Sequence, residues 1–159
     1  MKLVDLIDRR CIVPELESSE RNGVIRELVQ VLGSAKYIKK SSVESVVRTI
    51  VARERKRGTT GFGKGVAAPH AKIDGISRVV AALGRSSRGV DFAALDGGRV
   101  HAVFLILSPT DQPEEHLRAM DQVFRHLQNE RFRKFLRQSD SVDALHDLLK
   151  EADENALAG

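Results

Sequence analysis

His70 closes the run Gly58-Thr59-Thr60-Gly61-Phe62-Gly63-Lys64-Gly65-Val66-Ala67-Ala68-Pro69, in which a glycine-rich loop gives way to a short apolar segment. An imidazole of ordinary pKa, about 6.5, is mostly neutral and nucleophilic at cellular pH. Facing an anion-binding nest, it can take up a phosphoryl group and become a phosphohistidine. Four glycines in eight residues let the backbone turn sharply and aim several N–H groups at one spot, which suits an oxyanion. Thr59, Thr60, Gly61, Gly63 and Gly65 are therefore the expected phosphate-binding loop. Pro69 has a fixed φ and holds Ala68 extended, so His70 is expected at the stiff end of a short strand.

A second histidine follows a different kind of element. His116 comes after Ser108-Pro109-Thr110-Asp111-Gln112-Pro113-Glu114-Glu115, where Asp111 with Glu114 reads as a capping box and Pro113 suits a first helical turn. That puts His116 at a helix N-terminus, just beyond an apolar strand. Ligands collect at such strand ends in α/β sheets, and helix N-termini there offer positive potential to anions. His101 lies inside the same apolar strand and reads as a hydrogen-bonded core imidazole. His126 and His146 sit on amphipathic helices without special neighbours.

Other chemistries fit less well. Gly58 to Lys64 matches G-x-x-x-x-G-K, but Gly65 occupies the place of the Mg²⁺-ligating hydroxyl, and a helix precedes the loop where the nucleotide motif needs a strand. No H-E-x-x-H pattern or cysteine cluster suggests a metal, and no cofactor is expected. No G-x-S-x-G elbow suggests a hydrolase.

The elements that must position these groups are readable from periodicity. A short helical turn and an edge strand around Cys11 to Val13, limited by Pro14, open the chain. Ser18 or Ser19 is expected to cap a helix with Val24, Ile25, Leu28, Val29, Val31 and Leu32 inward and Gly33 at its end. Ser41 with Glu44 predicts a second capped helix, with Val43, Val46, Val47, Ile50 and Val51 buried, ending in Arg53-Glu54-Arg55-Lys56-Arg57. These cations complement the helix dipole, and one of them could reach the oxyanion. Val79 to Leu83 predicts a buried strand and Asp96-Gly97 a tight turn. Val100 to Leu107 predicts a strand buried on both faces at the centre of the sheet. The helix begun near Pro113 should bury Leu117, Met120, Phe124 and Leu127. A short basic helix over 129–137 is anchored by Phe132, Phe135 and Leu136. Ser141 opens a last helix burying Val142, Leu145, Leu148 and Leu149, with residues 153–159 a frayed tail.

The 159 residues fit one domain, with residues 1–152 as its body. Charged residues make up 30% of the chain and are interleaved, for a net charge of +4. With 4% aromatics nucleic-acid binding is disfavoured, and the basic excess suits an acidic or phosphorylated protein partner. The lone Cys11, small and half-buried in this reading, fits a reducing compartment and points to the cytoplasm. The acids Asp5 and Asp8 break any secretion signal, and no apolar run is long enough for direct membrane insertion.

Together, Arg53-Glu54, the Thr59 to His70 run, Val90-Asp91-Phe92-Ala93-Ala94-Leu95-Asp96-Gly97 and Thr110 to Leu117 resemble the enzyme IIA domain of the bacterial phosphoenolpyruvate-dependent sugar phosphotransferase system. The likeness is to its fructose/mannitol and nitrogen-regulatory branch and spans nearly the whole chain. It implies an α/β fold, a mixed β-sheet flanked by helices on both faces. It also implies a phosphohistidine phosphocarrier accepting on His70 from an HPr-type phosphocarrier protein, with His116 as phosphoryl stabiliser. Arg53 matches the family's site arginine. The spacing from Arg53 to the Thr-Thr-Gly loop is one residue longer than the family's, which makes Arg55 the alternative. The partners implied are the HPr-type carrier and either a IIB component or regulatory target proteins. A lone IIA unit favours the nitrogen-regulatory type over a fructose/mannitol IIA that hands phosphate to a IIB cysteine.

Overall fold

A computed structural model describes the backbone of residues 1–158 and the side chains of residues 1–155. A mixed sheet runs in the order β1-β5-β6-β3-β2, with β4 also on β6. The strands are β1 (Ile12–Val13), β2 (Gly61–Gly63), β3 (Val66–Ala67), β4 (His70–Ile73), β5 (Val80–Val90) and β6 (Val100–Pro109). β6 is antiparallel to β5 and parallel to β3 and β4. It is thus the centre of the sheet, as its unbroken apolar run requires. Side-chain alternation divides it: Val103, Leu105 and Leu107 enter one core and Ala102, Phe104 and Ile106 the other.

The helices are α1 (Leu3–Leu6), α2 (Arg21–Ser34), α3 (Val43–Arg57), α4 (Pro113–Leu127), α5 (Glu130–Gln138) and α6 (Val142–Ala158). α2 and α3 cover the first face, and α1, α4, α5 and α6 the second. The α/β architecture with helices on both faces is as expected.

Helix ends differ from the sequence reading because tertiary neighbours supply the caps. Neither Ser18 nor Ser19 caps α2, whose N-cap is Glu20. Instead the Glu27 carboxylate reaches back to accept from the Glu17 and Ser18 N–H groups. Gly33 does not end α2. It lies inside the helix where a Cβ would come within 2.9 Å of Val43, so it lets α3 approach. The stop is at Lys36, held at φ 67°, with Lys36 N–H donating to Gly33 and Tyr37 N–H to Leu32. That is a Schellman cap with lysine where glycine is usual. The Ser41–Glu44 box does not form: Ser42 is the N-cap without a side-chain bond, and Glu44 pairs with Arg26 of α2. Nor does the Asp111–Glu114 box, since Gln112 is the N-cap, though Pro113 opens α4 as expected.

Cys11 is fully buried in a 3-10 turn before β1, and burial pushes its thiol up to about 11. β5 runs well beyond Leu83, to Val90. α4 buries His116, Ala119, Val123 and Leu127, while Leu117 is 67% exposed. Small Ala119 lets the helix lie close on the sheet and rotates the expected face by about one residue. Phe132 and Leu136 anchor α5, but Phe135 is exposed. α6 continues past Ala152, and Asp153 is buried, accepting from the Leu3 and Val4 N–H groups. The fraying expected from residue 153 does not begin there.

Candidate functional site

His70 opens β4 instead of ending the preceding strand. β3 and β4 keep one register on β6, with Ala67 opposite Val103 and His70 opposite Ile106. Only Ala68-Pro69 interrupts the ladder, because proline has no N–H to give. Along β4, Ala71 enters the core beneath α2 and α3. Alternation therefore sends His70 and Lys72 toward the α4 side. Lys72 lies opposite Ser108, which shares a face of β6 with Phe104 and Ile106. α4 starts above that face and brings His116 down in its first turn. The two imidazole centroids are 5.5 Å apart, with the ring planes at 48°.

Each ring is oriented by a second group. His70 Nδ1 lies 2.8 Å from the Ala68 carbonyl oxygen. A carbonyl can only accept, so Nδ1 carries the hydrogen and Nε2 keeps the lone pair. His116 Nδ1 is 2.6 Å from the Ser108 hydroxyl, and both residues are buried. Burial holds the His70 pKa below its ordinary value, against the raising effect of the Ala68 bond, with the charges of Arg53 and Lys72 adding to the lowering. Burial, then His70, Lys72 and Arg53, push His116 down to about 4. Both rings are therefore neutral at pH 7, beside the side chains of Arg53 and Lys72. The arrangement combines a nucleophilic nitrogen with a neighbouring base and positive potential for an incoming anion.

Of the two candidate arginines, Arg53 is the one whose charge acts on both rings. Arg55 is exposed two residues further along α3. Glu54, between them, is buried, and its carboxylate accepts from both the Thr60 N–H and the Thr60 hydroxyl.

That contact changes the reading of the glycine loop. Thr60 is committed to Glu54, and the Thr59 hydroxyl donates to Phe92 while accepting from Gly61 N–H. Lys64 N–H donates to Asp96, and Gly65 O accepts from His101 and Ala102. The expected cradle is instead a β2–β3 hairpin knitted into the fold. Its Gly63–Gly65 tip sits opposite the start of β6, about five residues and so roughly 17 Å along the strand from His70's partner Ile106. Only the Thr59–Thr60 end comes close, since Thr60 O accepts from Ala68 N–H.

Sequence reasoning missed Lys72, Ser108 and Glu54 as parts of the site. Strand alternation could have found Lys72, two residues from His70. No local pattern points to the other two, whose partners come from distant elements.

Fold and site together define a class: a single α/β domain that presents one oriented, neutral histidine beside a second buried histidine. The chain belongs to the phosphoenolpyruvate-dependent sugar phosphotransferase system EIIA 2 family, whose family model matches residues 5–152. It is 31% identical over 149 residues to a nitrogen regulatory protein of Bradyrhizobium diazoefficiens, covering 94% of this chain and 95% of that one. It is 35% identical over 154 residues to a fructose-specific EIIABC component of Bacillus subtilis, covering 97% of this chain but only 24% of that longer protein. Among solved structures, the nitrogen regulatory protein IIA-Ntr of Neisseria meningitidis superposes with a TM-score of 0.81 at 26% identity, covering 91% of this chain and 97% of that one.

Proposed function

We propose that this protein is a phosphocarrier of the nitrogen-regulatory type, accepting a phosphoryl group on His70 Nε2 from the phosphohistidine of an HPr-type protein. The observation that carries the reading is the Ala68 carbonyl bond to His70 Nδ1. It leaves the other nitrogen unprotonated and fixed in direction. Nε2 attacks phosphorus as the donor's N–P bond breaks, and the departing imidazole of the carrier regains its electron pair. Arg53 and Lys72 offset the charge of the phosphoryl oxygens, and His116 serves as the stabiliser. A dianion beside His116 raises that ring's proton affinity, so the ring takes up a proton and donates to a phosphoryl oxygen once the group has arrived. Transfer is between proteins and uses no cofactor. The 67% exposed Leu117 next to His116 suits a rim that a partner protein covers.

The test is incubation with phosphoenolpyruvate, enzyme I and HPr, following an acid-labile label. Wild type takes up one phosphoryl group and His70→Ala takes up none. Equal labelling of the two would overturn the acceptor assignment. The similarity to the fructose-specific relative favours a second reading, in which the group passes on to a IIB cysteine. Label appearing on a purified fructose-type IIB cysteine would select that reading over the regulatory one, in which the phosphorylation state of His70 is read by target proteins in the cytoplasm.

A further inference from the structure

A second basic surface lies at the other end of β6. Beside His101 opens a cleft of about 1280 Å³ between the β2–β3 hairpin tip and α5. Lys64, Arg99, Arg131, Arg133, Lys134 and Arg137 line it, with Glu130 as the single carboxylate among the lining residues. Its local charge of +5 exceeds the +4 of the entire chain. The positive charge is therefore concentrated here. None of the six cations takes part in an ion pair among the described residues.

The cleft is also organised. Lys64 at φ 60° and Gly65 at φ 80° are the two central residues of the hairpin turn, and both line the wall. His101 Nδ1 lies 2.9 Å from the Ser86 carbonyl and so donates to it. Its Nε2 is then an acceptor, 3.2 Å from an Arg137 nitrogen. His101 thus steadies the Arg137 guanidinium without a carboxylate to offset its charge. Phe135 is 39% exposed in the same cleft, and the Arg131 guanidinium lies 5.7 Å from its ring centre.

We propose that this cleft binds a nucleoside polyphosphate, its phosphates held by the guanidinium groups and its base laid against Phe135. Guanidinium forks match phosphate oxygens in pairs, and four of the six cations are arginines. An aromatic ring beside an arginine is a stacking surface that an acidic peptide has no need of. The site is separate from the histidine pair and does not rest on its assignment.

The experiment is calorimetric titration of the whole chain with ATP and, in parallel, inorganic tripolyphosphate at low salt. ATP binds more tightly than tripolyphosphate, and both weaken as salt rises. The Arg131→Ala/Arg137→Ala double variant loses about tenfold or more in affinity for both. Phe135→Ala lowers ATP to the level of tripolyphosphate, and His70→Ala binds ATP as wild type does. The three cleft side chains replaced, Arg131, Phe135 and Arg137, are exposed, and unchanged urea midpoints certify the folds of all the variants. Absence of ATP binding, binding unmoved by the double variant, or ATP no better than tripolyphosphate would each overturn the proposal. The last outcome would make the cleft a general polyanion surface, open to an acidic protein.

Discussion

Neutrality at pH 7 is what lets two imidazoles stand 5.5 Å apart next to two cations. The nucleophile needs its lone pair, and because the His70 pKa is depressed, its ability to accept persists somewhat below the usual histidine range. Initial rates of labelling by phosphorylated HPr should stay level from pH 8 to pH 6.5, once corrected for the carrier's own titration. The same depression acts on stability. Above about pH 6.5 His116 is neutral in both the folded and unfolded chain and contributes no pH dependence. Between about 6.5 and about 4 the unfolded chain binds a proton that the folded chain refuses, so stability falls as pH falls. The slope is about 1.4 kcal/mol per pH unit for one such group. Urea unfolding at pH 7 and pH 5 reads it, and His116→Gln should remove His116's share. Ser108→Ala tests positioning: it leaves buried His116 Nδ1 without its partner, costs about 1–3 kcal/mol, and should lower the transfer rate with the apparent affinity for the carrier unchanged.

At the scale of elements, what was legible is what depends on local pattern. The apolar run from Val100 to Leu107 could only be an inner strand, and Pro113 could only open a helix. Those two placements put His116 at a helix start behind the central strand, while its pairing with His70 was implied only by the family resemblance. Caps and loop bonds were illegible because their partners come from other elements: Glu27 for the entry to α2, Glu54 for Thr60, Asp96 for Lys64. A glycine-rich string reads as an anion nest until Glu54, Thr59 and Asp96 are seen to take the N–H groups of Thr60, Gly61 and Lys64. The phase of α4 was missed because Leu117 outweighs Ala119 in hydrophobicity, whereas the sheet selects the smaller side chain. The lysine that ends α2 gives a test of this scale. Lys36 stands at φ 67°, a conformation costing an L-residue roughly 1 kcal/mol or more. Lys36→Gly relieves it, less the extra freedom glycine has when unfolded. The net expectation is a stabilisation of roughly 0.5 kcal/mol in urea unfolding, with phosphoryl acceptance unchanged.

Over the whole molecule, the chain's beginning and end are tied together behind the site. Asp153, on α6, accepts from the first N–H groups of α1, and α1 packs with α4 and α6 in the core of the second sheet face. The family match stops at residue 152, one residue short of this tie. A chain ending at Ala152 would keep every group around the two imidazoles yet leave the buried Leu3 N–H without its acceptor. Loss of two hydrogen bonds to a carboxylate predicts a cost of about 1–3 kcal/mol, read as a lower urea midpoint. Hydrogen exchange should speed up first at Leu3 and Val4. Asp153→Ala in the full chain should reproduce most of the effect, and labelling by the carrier should proceed as in wild type below the unfolding transition. A truncated chain as stable as the whole would mean that water replaces the carboxylate at no cost, and that the α1–α6 contact is held by apolar packing alone.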